Sequence, residues 1–207
     1  MKILIAIPCM DQVAAPFAQS LATLDKGNEQ SFISMIIGSL IYDSRNKFVQ
    51  QAISLKADAV LWLDSDMIIP PDAFVRLAEH LESGKDFVTG LYFRRRTPFT
   101  PVLFKRLTID GETGKHEEFN DYPKDSVFEV EGCGFGCVMT RTSMLEDVLL
   151  NYGTCFEPHY KLGEDLAFCA RARELGYRIY CDSTIKCGHI GQLVIDEKVF
   201  ESSIREE

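Results

Sequence analysis

The sequence predicts an α/β protein with a mostly parallel central sheet flanked by helices and a smaller antiparallel portion. Three observations carry this. Short unbroken apolar runs of strand length, such as "ILIAIP" and "AVLWL", suggest strands covered on both faces. Segments with helical apolar spacing come between such runs, so strand and helix alternate through the first half. The second half is richer in turns and in strand-like runs without intervening helices, which places the antiparallel portion there.

Taken in order, "ILIAIP" is the first strand, and "SFISMII" (31–37) is a second unbroken run, expected to be covered on both faces. "RNKFVQQAISLKA" sets Phe48, Val49, Ala52 and Ile53 on one helical stripe, with Asp43 or Ser44 available as N-cap. It hands over to the strand "AVLWL". The next segment, "PPDAFVRLAEHLESG", starts with proline, has Asp72 in its first turn, places Phe74, Leu77, Ala78 and Leu81 on one face and stops at Gly84, all marks of a helix. "DFVTGLYF" and "TPVLFKRL" read as strands, and "DGETGKHEEFNDYPKD" as a polar, turn-rich excursion before the strand "VFEVEG". "GFGCVMTR" is a further strand, followed by a helix from Thr142 to about Leu150. "GEDLAFCARARELG" is a helix closed by Gly176, "YRIYC" is a strand, and from about Gln192 the chain reads as a helix or an extended arm.

With 207 residues, 46% of them hydrophobic, and 14 Phe, there is apolar mass for one well-buried core but not for two. Residues 1–207 are therefore expected to form a single domain, without repeats or a linker. The 22 Lys+Arg against 31 Asp+Glu give 22 − 31 = −9, a balance that repels nucleic-acid backbones and anionic membranes. Nucleic acid is not the expected partner. "MKILIAIPCMD" has too few apolar residues for a signal-peptide core, and no run approaches the roughly 20 residues that span a bilayer, so a soluble cytoplasmic protein without a membrane span is expected. The seven cysteines, including Cys9, Cys137, Cys169 and Cys181, lie mostly in apolar stretches and imply no disulfide framework. The spacings of Cys133 with Cys137 and of Cys181 with Cys187 match neither close pair of a structural zinc site.

Three constellations can carry chemistry. In "LWLDSDMIIPPD", Asp64 and Asp66 follow an apolar strand; extended backbone would point both the same way with their Cα atoms roughly 7 Å apart. Two such carboxylates repel unless solvated or neutralised, and a divalent cation carrying a diphosphate suits their charge and oxygen chemistry. A solvated turn, with Asp66 or Asp72 capping the next helix, is the plainer alternative. "GEDLAFC" adds Glu164 and Asp165 in the first turn of a helix, where the helix dipole favours acids and where a general base for an acceptor hydroxyl also fits. In "KCGHIG", His189 lies between glycines, and a neutral imidazole there is a candidate metal ligand or an ordinary exposed side chain. "GLYFRRRTPF" adds Arg94, Arg95 and Arg96 directly after a strand, either a solvated edge or a contact for a diphosphate or an anionic acceptor.

The combination is more specific than its parts. An apolar strand ending in D-x-D, G-E-D at a helix start about 100 residues on, then L-G-Y and a histidine about a dozen residues later, resembles the family-2-like glycosyltransferases of the GT-A fold, in their compact bacterial and phage form. "SRNKFVQQAISLKADAVLWLDSDMIIPPDAFVRL" and "GCGFGCVMTRTSMLEDV" are similar to two blocks of that family, and the likeness runs from "IAIPCMD" to "CGHIG". The resemblance implies transfer of a sugar from a UDP- or GDP-sugar to a hydroxyl-bearing acceptor, with Mn2+ or Mg2+ as cofactor. It implies a nucleotide-sugar-binding half over residues 1–100, an acceptor and catalytic half over 101–191, and a tail over 192–207. Within it, Asp66 would be the metal ligand and Asp64 a contact to ribose or metal. His189 would be a further metal or diphosphate contact. Asp165 would be the base of an inverting transfer, with Glu164 beside it on the acceptor side. Arg45 and the Pro8 to Asp11 loop would lie near the nucleotide; apart from the resemblance, Arg94 is the member of the arginine run expected at the donor. The chain departs from the family in its shortness and in lacking Q-x-x-R-W, which leaves the acceptor class open. A nucleotidyltransferase of related fold is disfavoured because "IPCMDQVAAPF" has no Gly-rich phosphate loop, and a non-catalytic sugar-nucleotide-binding module because G-E-D is intact.

Overall fold

A computed structural model describes residues 1–38 and 40–191. The expected tail from Gln192 lies outside the described residues. Seven strands form the central sheet: β1 (Lys2–Cys9), β2 (Gln30–Ile37), β3 (Ala59–Leu63), β5 (Phe87–Leu91), β8 (Val127–Val130), β10 (Cys137–Arg141) and β11 (Ile179–Lys186). Their order is β2-β1-β3-β10-β5-β11-β8. Strands β1, β2 and β3 are parallel, as are β5 and β11, while β10 and β8 run antiparallel to their neighbours. The mostly parallel α/β architecture read from the sequence is the one observed.

The unbroken apolar strands are explained by helices on both sheet faces. Along β1, Leu4 and Ala6 face a core layer with α2 (Ile41–Leu55), α4 (Thr142–Tyr152) and α5 (Glu164–Glu174). Ile3, Ile5 and Ile7 face the opposite layer, with α1 (Ala15–Ala22) and α3 (Ala73–Glu82). Strand β3 divides in the same way, Val60 and Trp62 to one side, Leu61 and Leu63 to the other. Trp62 anchors the first layer, edge to face with Phe48 and Phe135 and tilted against Phe156, with its indole N–H on Thr140 Oγ1 at 2.9 Å.

Several local expectations are corrected. Strand β2 is an edge with one open face: Phe32 and Ile36 pack inward, whereas Ile33, Met35 and Ile37 are exposed. An unbroken apolar run has the same appearance on an edge strand as in the middle of a sheet. Helix α2 starts at Ile41, so Asp43 and Ser44 lie within its first turn instead of capping it; Asp43 pairs with Lys47 at 2.6 Å. Helix α1 was not anticipated, because Ala14 offers no side-chain cap and eight residues give little periodicity. The polar excursion contains a strand, β7 (Thr113–Glu118), which pairs antiparallel with β6 (Leu103–Asp110) around Gly111, where φ is +58°. Its TGKHEE sequence has no apolar alternation, so only the backbone ladder defines it. A two-residue strand β9 (Gly132–Cys133) completes that small sheet. All seven cysteines are free and buried. No helix among the described residues is long and apolar enough to cross a membrane.

Candidate active site

The site lies where parallel strands end. Beyond β3 the chain turns at once, with Met67 N–H donating to the Asp64 carbonyl at 3.2 Å, so Asp64 and Asp66 sit in a turn and not in the extended pair expected. The turn is held from below by Asp64 N–H on the Gly136 carbonyl at 3.1 Å. Both carboxylates still line one cleft of about 370 Å³ at the carboxyl ends of β1, β2 and β3. Its walls include Pro8 to Met10, Gly38 and Ile41. This is the position at which open α/β sheets bind ligands.

Strand pairing supplies the third side chain. The two-residue strands β4 (Met67–Ile68) and β12 (Gly188–His189) run antiparallel, with His189 opposite Met67, and Ile190 N–H donates to the Asp66 carbonyl at 2.8 Å. His189 Nε2 therefore lies 3.5 Å from Asp66 Oδ2. The other ring nitrogen, Nδ1, is 2.8 Å from the Phe93 carbonyl, and the ring meets Tyr92 edge to face at 5.5 Å. Donation from Nδ1 to that carbonyl fixes the ring with Nε2 turned toward the carboxylate, the arrangement by which a backbone carbonyl orients a metal-ligating histidine. The hydrogen bond to Asp66 raises the His189 pKa, with burial opposing it. For Asp66, burial pushes upward, but the hydrogen bond and charge of His189 and the charge of Arg95 outweigh it, and the carboxyl lies below its ordinary range.

Asp64 is committed elsewhere. Arg45, buried in α2, reaches Asp64 Oδ1 with Nη2 at 2.9 Å and Glu164 Oε1 with Nη1 at 2.8 Å. Its guanidinium carbon lies 5.2 Å from the centroid of the Phe135 ring and 5.9 Å from that of Phe156. Arg45 thus forms the floor of the site and is not among the residues lining the cleft. Burial raises the Asp64 pKa against the pull of Arg45. Next to Glu164, Asp165 accepts from Leu166 N–H at 2.7 Å; burial, then the Glu164 charge, push its pKa up to about 6, with Arg45 opposing. A carboxyl in that range is suited to proton exchange near neutral pH.

Two expected donor residues are placed differently. Asp11 is exposed and does not line the cleft. Arg94 pairs with Glu118 at 2.8 Å, outside the cleft, while its neighbour Arg95 lines it and forms an ion pair with Asp66. The chain bends from Arg95 onward, so the arginines of the run take different directions and partners. Sequence reasoning also missed Asn46, whose side-chain oxygen accepts from Cys155 N–H at 3.2 Å and Phe156 N–H at 3.0 Å, tying α2 to the loop before α5. Tyr92, buried against Gly136 and linked through it to the Asp64 turn, gave no signal beyond its place at the end of a strand.

The chemistry of the donor set fits a divalent cation: one carboxylate and one oriented imidazole face the same opening. Among the described residues no cluster of three or more His, Cys, Asp or Glu surrounds a single point, so the remaining ligands would be phosphate and water, as is usual for Mg2+ at nucleotide sites.

The fold is the GT-A fold. No protein-family model matches the sequence, and no curated protein matches it either. Among solved structures, A197 from STIV superposes with a TM-score of 0.68 at 23% identity, over 95% of this chain and 87% of that one. GalNAc-T7 with UDP, GalNAc and Mn2+ superposes with a TM-score of 0.62 at 10% identity, over 93% of this chain and 43% of that one. At these identities the likeness defines the architecture, and the function rests on the site.

Proposed function

We propose that this protein is a metal-dependent glycosyltransferase that moves a sugar from a UDP- or GDP-sugar to a hydroxyl acceptor, with inversion at the anomeric carbon. The observation that carries the reading is the meeting of Asp66 and His189 at 3.5 Å across the carboxyl ends of the parallel strands. The Mn2+ and UDP of GalNAc-T7 support it by analogy of fold.

Asp66 and His189 would hold the cation, with Asp64 lining the same cleft. When bound, the cation neutralises charge building on the departing diphosphate. Pro8 to Met10, Gly38 and Ile41 give the nucleoside a wall with apolar character. Asp165 takes the proton of the acceptor hydroxyl as its oxygen bonds to the anomeric carbon and the bond from that carbon to the diphosphate oxygen breaks. Glu164, fixed by Arg45, borders the acceptor side. Residues 1–100 act as the donor half and 101–191 as the acceptor half.

Calorimetric titration of UDP and GDP, with Mn2+ and then with a chelator, tests the reading. Binding of one of them that needs Mn2+ and is lost in Asp66→Asn is expected. Equal affinity in all conditions would sink it.

A further inference from the structure

We infer that Arg95 occupies the cation site as a built-in counter-ion, and that it is handed from Asp66 to the diphosphate when metal and nucleotide arrive together. The inference rests on the reading above and adds a residue and an order of binding to it. One carboxylate oxygen, Asp66 Oδ2, serves both Arg95 Nη1 and His189 Nε2. A cation ligated by Asp66 needs that carboxylate, and two positive groups on it repel each other. Arg95 therefore has to leave.

Its backbone is fixed while its side chain is not. Phe93 and Pro101 bridge the base of the loop, and Arg94 N–H donates to the Thr100 carbonyl at 2.9 Å. Gly191 packs against the Arg95 backbone, where an added Cβ would lie 3.2 Å from the Arg95 carbonyl oxygen. The Arg95 side chain is 56% exposed, and among the described residues Asp66 is its ion-pair partner. Such a side chain swings without moving the loop. In a cleft whose lining otherwise carries Asp64 and Asp66, it is the guanidinium available to a diphosphate, whose oxygens suit its planar fork. A cation arriving alone gives Arg95 nothing in exchange for Asp66; a cation arriving with a diphosphate supplies a new partner. Metal and nucleotide diphosphate therefore bind with positive coupling, and Arg95 is its source.

The test compares wild type, Arg95→Ala and Arg96→Ala, the last an exposed neighbour on the same loop. Each is titrated with Mn2+ alone, followed by the spectrum of free Mn2+ in electron paramagnetic resonance, and then with UDP or GDP at saturating Mn2+. Because the partly exposed pair is worth little by itself, Arg95→Ala is expected to bind Mn2+ alone about two- to fivefold more tightly. It should bind the nucleotide at saturating Mn2+ at least as many fold more weakly, while Arg96→Ala matches wild type. Unchanged or weaker Mn2+ binding in Arg95→Ala, with wild type still binding nucleotide through Mn2+, would overturn this inference and leave the proposed function standing. Absence of Mn2+-dependent nucleotide binding in wild type would overturn both.

Discussion

Arg45 and Glu164, 119 residues apart in the chain, are joined by a 2.8 Å ion pair, and the same guanidinium holds Asp64 at 2.9 Å. One buried side chain thereby fixes the D-x-D turn to the first turn of α5. Removing it leaves two carboxylates facing each other with no cation between them.

Arg45→Met is expected to destabilise the fold by about 3 kcal/mol at neutral pH, since an uncompensated buried charge costs more than the pair gains. Arg45→Lys should recover little, because a lysine ammonium lacks the two-pronged fork. The penalty should shrink on acidification, as Asp64, already raised by burial, takes up a proton. Urea unfolding at pH 7.5 and pH 5 measures both effects; an equal loss at the two values would assign the cost to packing alone.

Asp165 is expected to trade stability for activity. Its pKa is pushed up from 3.8 to about 6, so between those values the folded chain keeps a proton that the unfolded chain has lost. Stability therefore falls as pH rises through that window and stays lower above it. Asp165→Asn should raise stability at pH 7.5 by about 1 to 3 kcal/mol and lower sugar transfer, or slow donor hydrolysis, about 100- to 10,000-fold. Wild-type turnover should decline below about pH 6. A variant that melts earlier yet turns over normally would make Asp165 a helix cap.

Gly136 lets Tyr92 approach the D-x-D turn. A Cβ there would lie 2.9 Å from Tyr92 Cζ and 3.0 Å from Met67 Sδ, in a region where the Gly136 N–H donates to Tyr92 Oη at 3.2 Å. Gly136→Ala should cost about 1 to 3 kcal/mol by overpacking. It should also weaken Mn2+-dependent nucleotide binding, because the Gly136 carbonyl holds Asp64. Loss of stability with unaltered binding would show that the turn is set independently.

Asp182 locks α3 to β11. Its carboxylate, 5% exposed, bonds His80 Nε2 at 2.9 Å, Arg76 Nη2 at 3.2 Å and Thr184 N–H at 2.9 Å. Burial raises its pKa, but the bonds from His80 and Thr184 and the charge of Arg76 prevail and bring it below the ordinary value. That stability is present above the ordinary carboxyl pKa near 4 and is lost as pH falls through the lowered folded value. Asp182→Ala should cost about 2 kcal/mol at pH 7, with the two proteins converging in acid. Thermal melts from pH 7 down to pH 3 follow the difference.

The sequence by itself determined the layers. Ile3, Ile5 and Ile7 alternating with Leu4 and Ala6, and Leu61 and Leu63 alternating with Val60 and Trp62, require apolar cover on both faces, and helices such as α3 are written in their own periodicity and end signals. Asp64, Asp66, Glu164, Asp165 and His189 were legible as candidates because carboxylates and histidines at element ends are few and chemically distinct. Tertiary structure decided which of them meet. The pairing of β12 with β4 puts His189 on Asp66, and the burial of α2 turns Arg45 toward two carboxylates instead of solvent. Equally, the open face of β2 and the existence of β7 follow from strand neighbours, and the selection of Arg95 over Arg94 from the bend of the loop after β5. Local sequence encodes periodicity and end chemistry, both short-range, whereas a partner across a sheet or in a buried ion pair is fixed only when distant segments pack and exclude water.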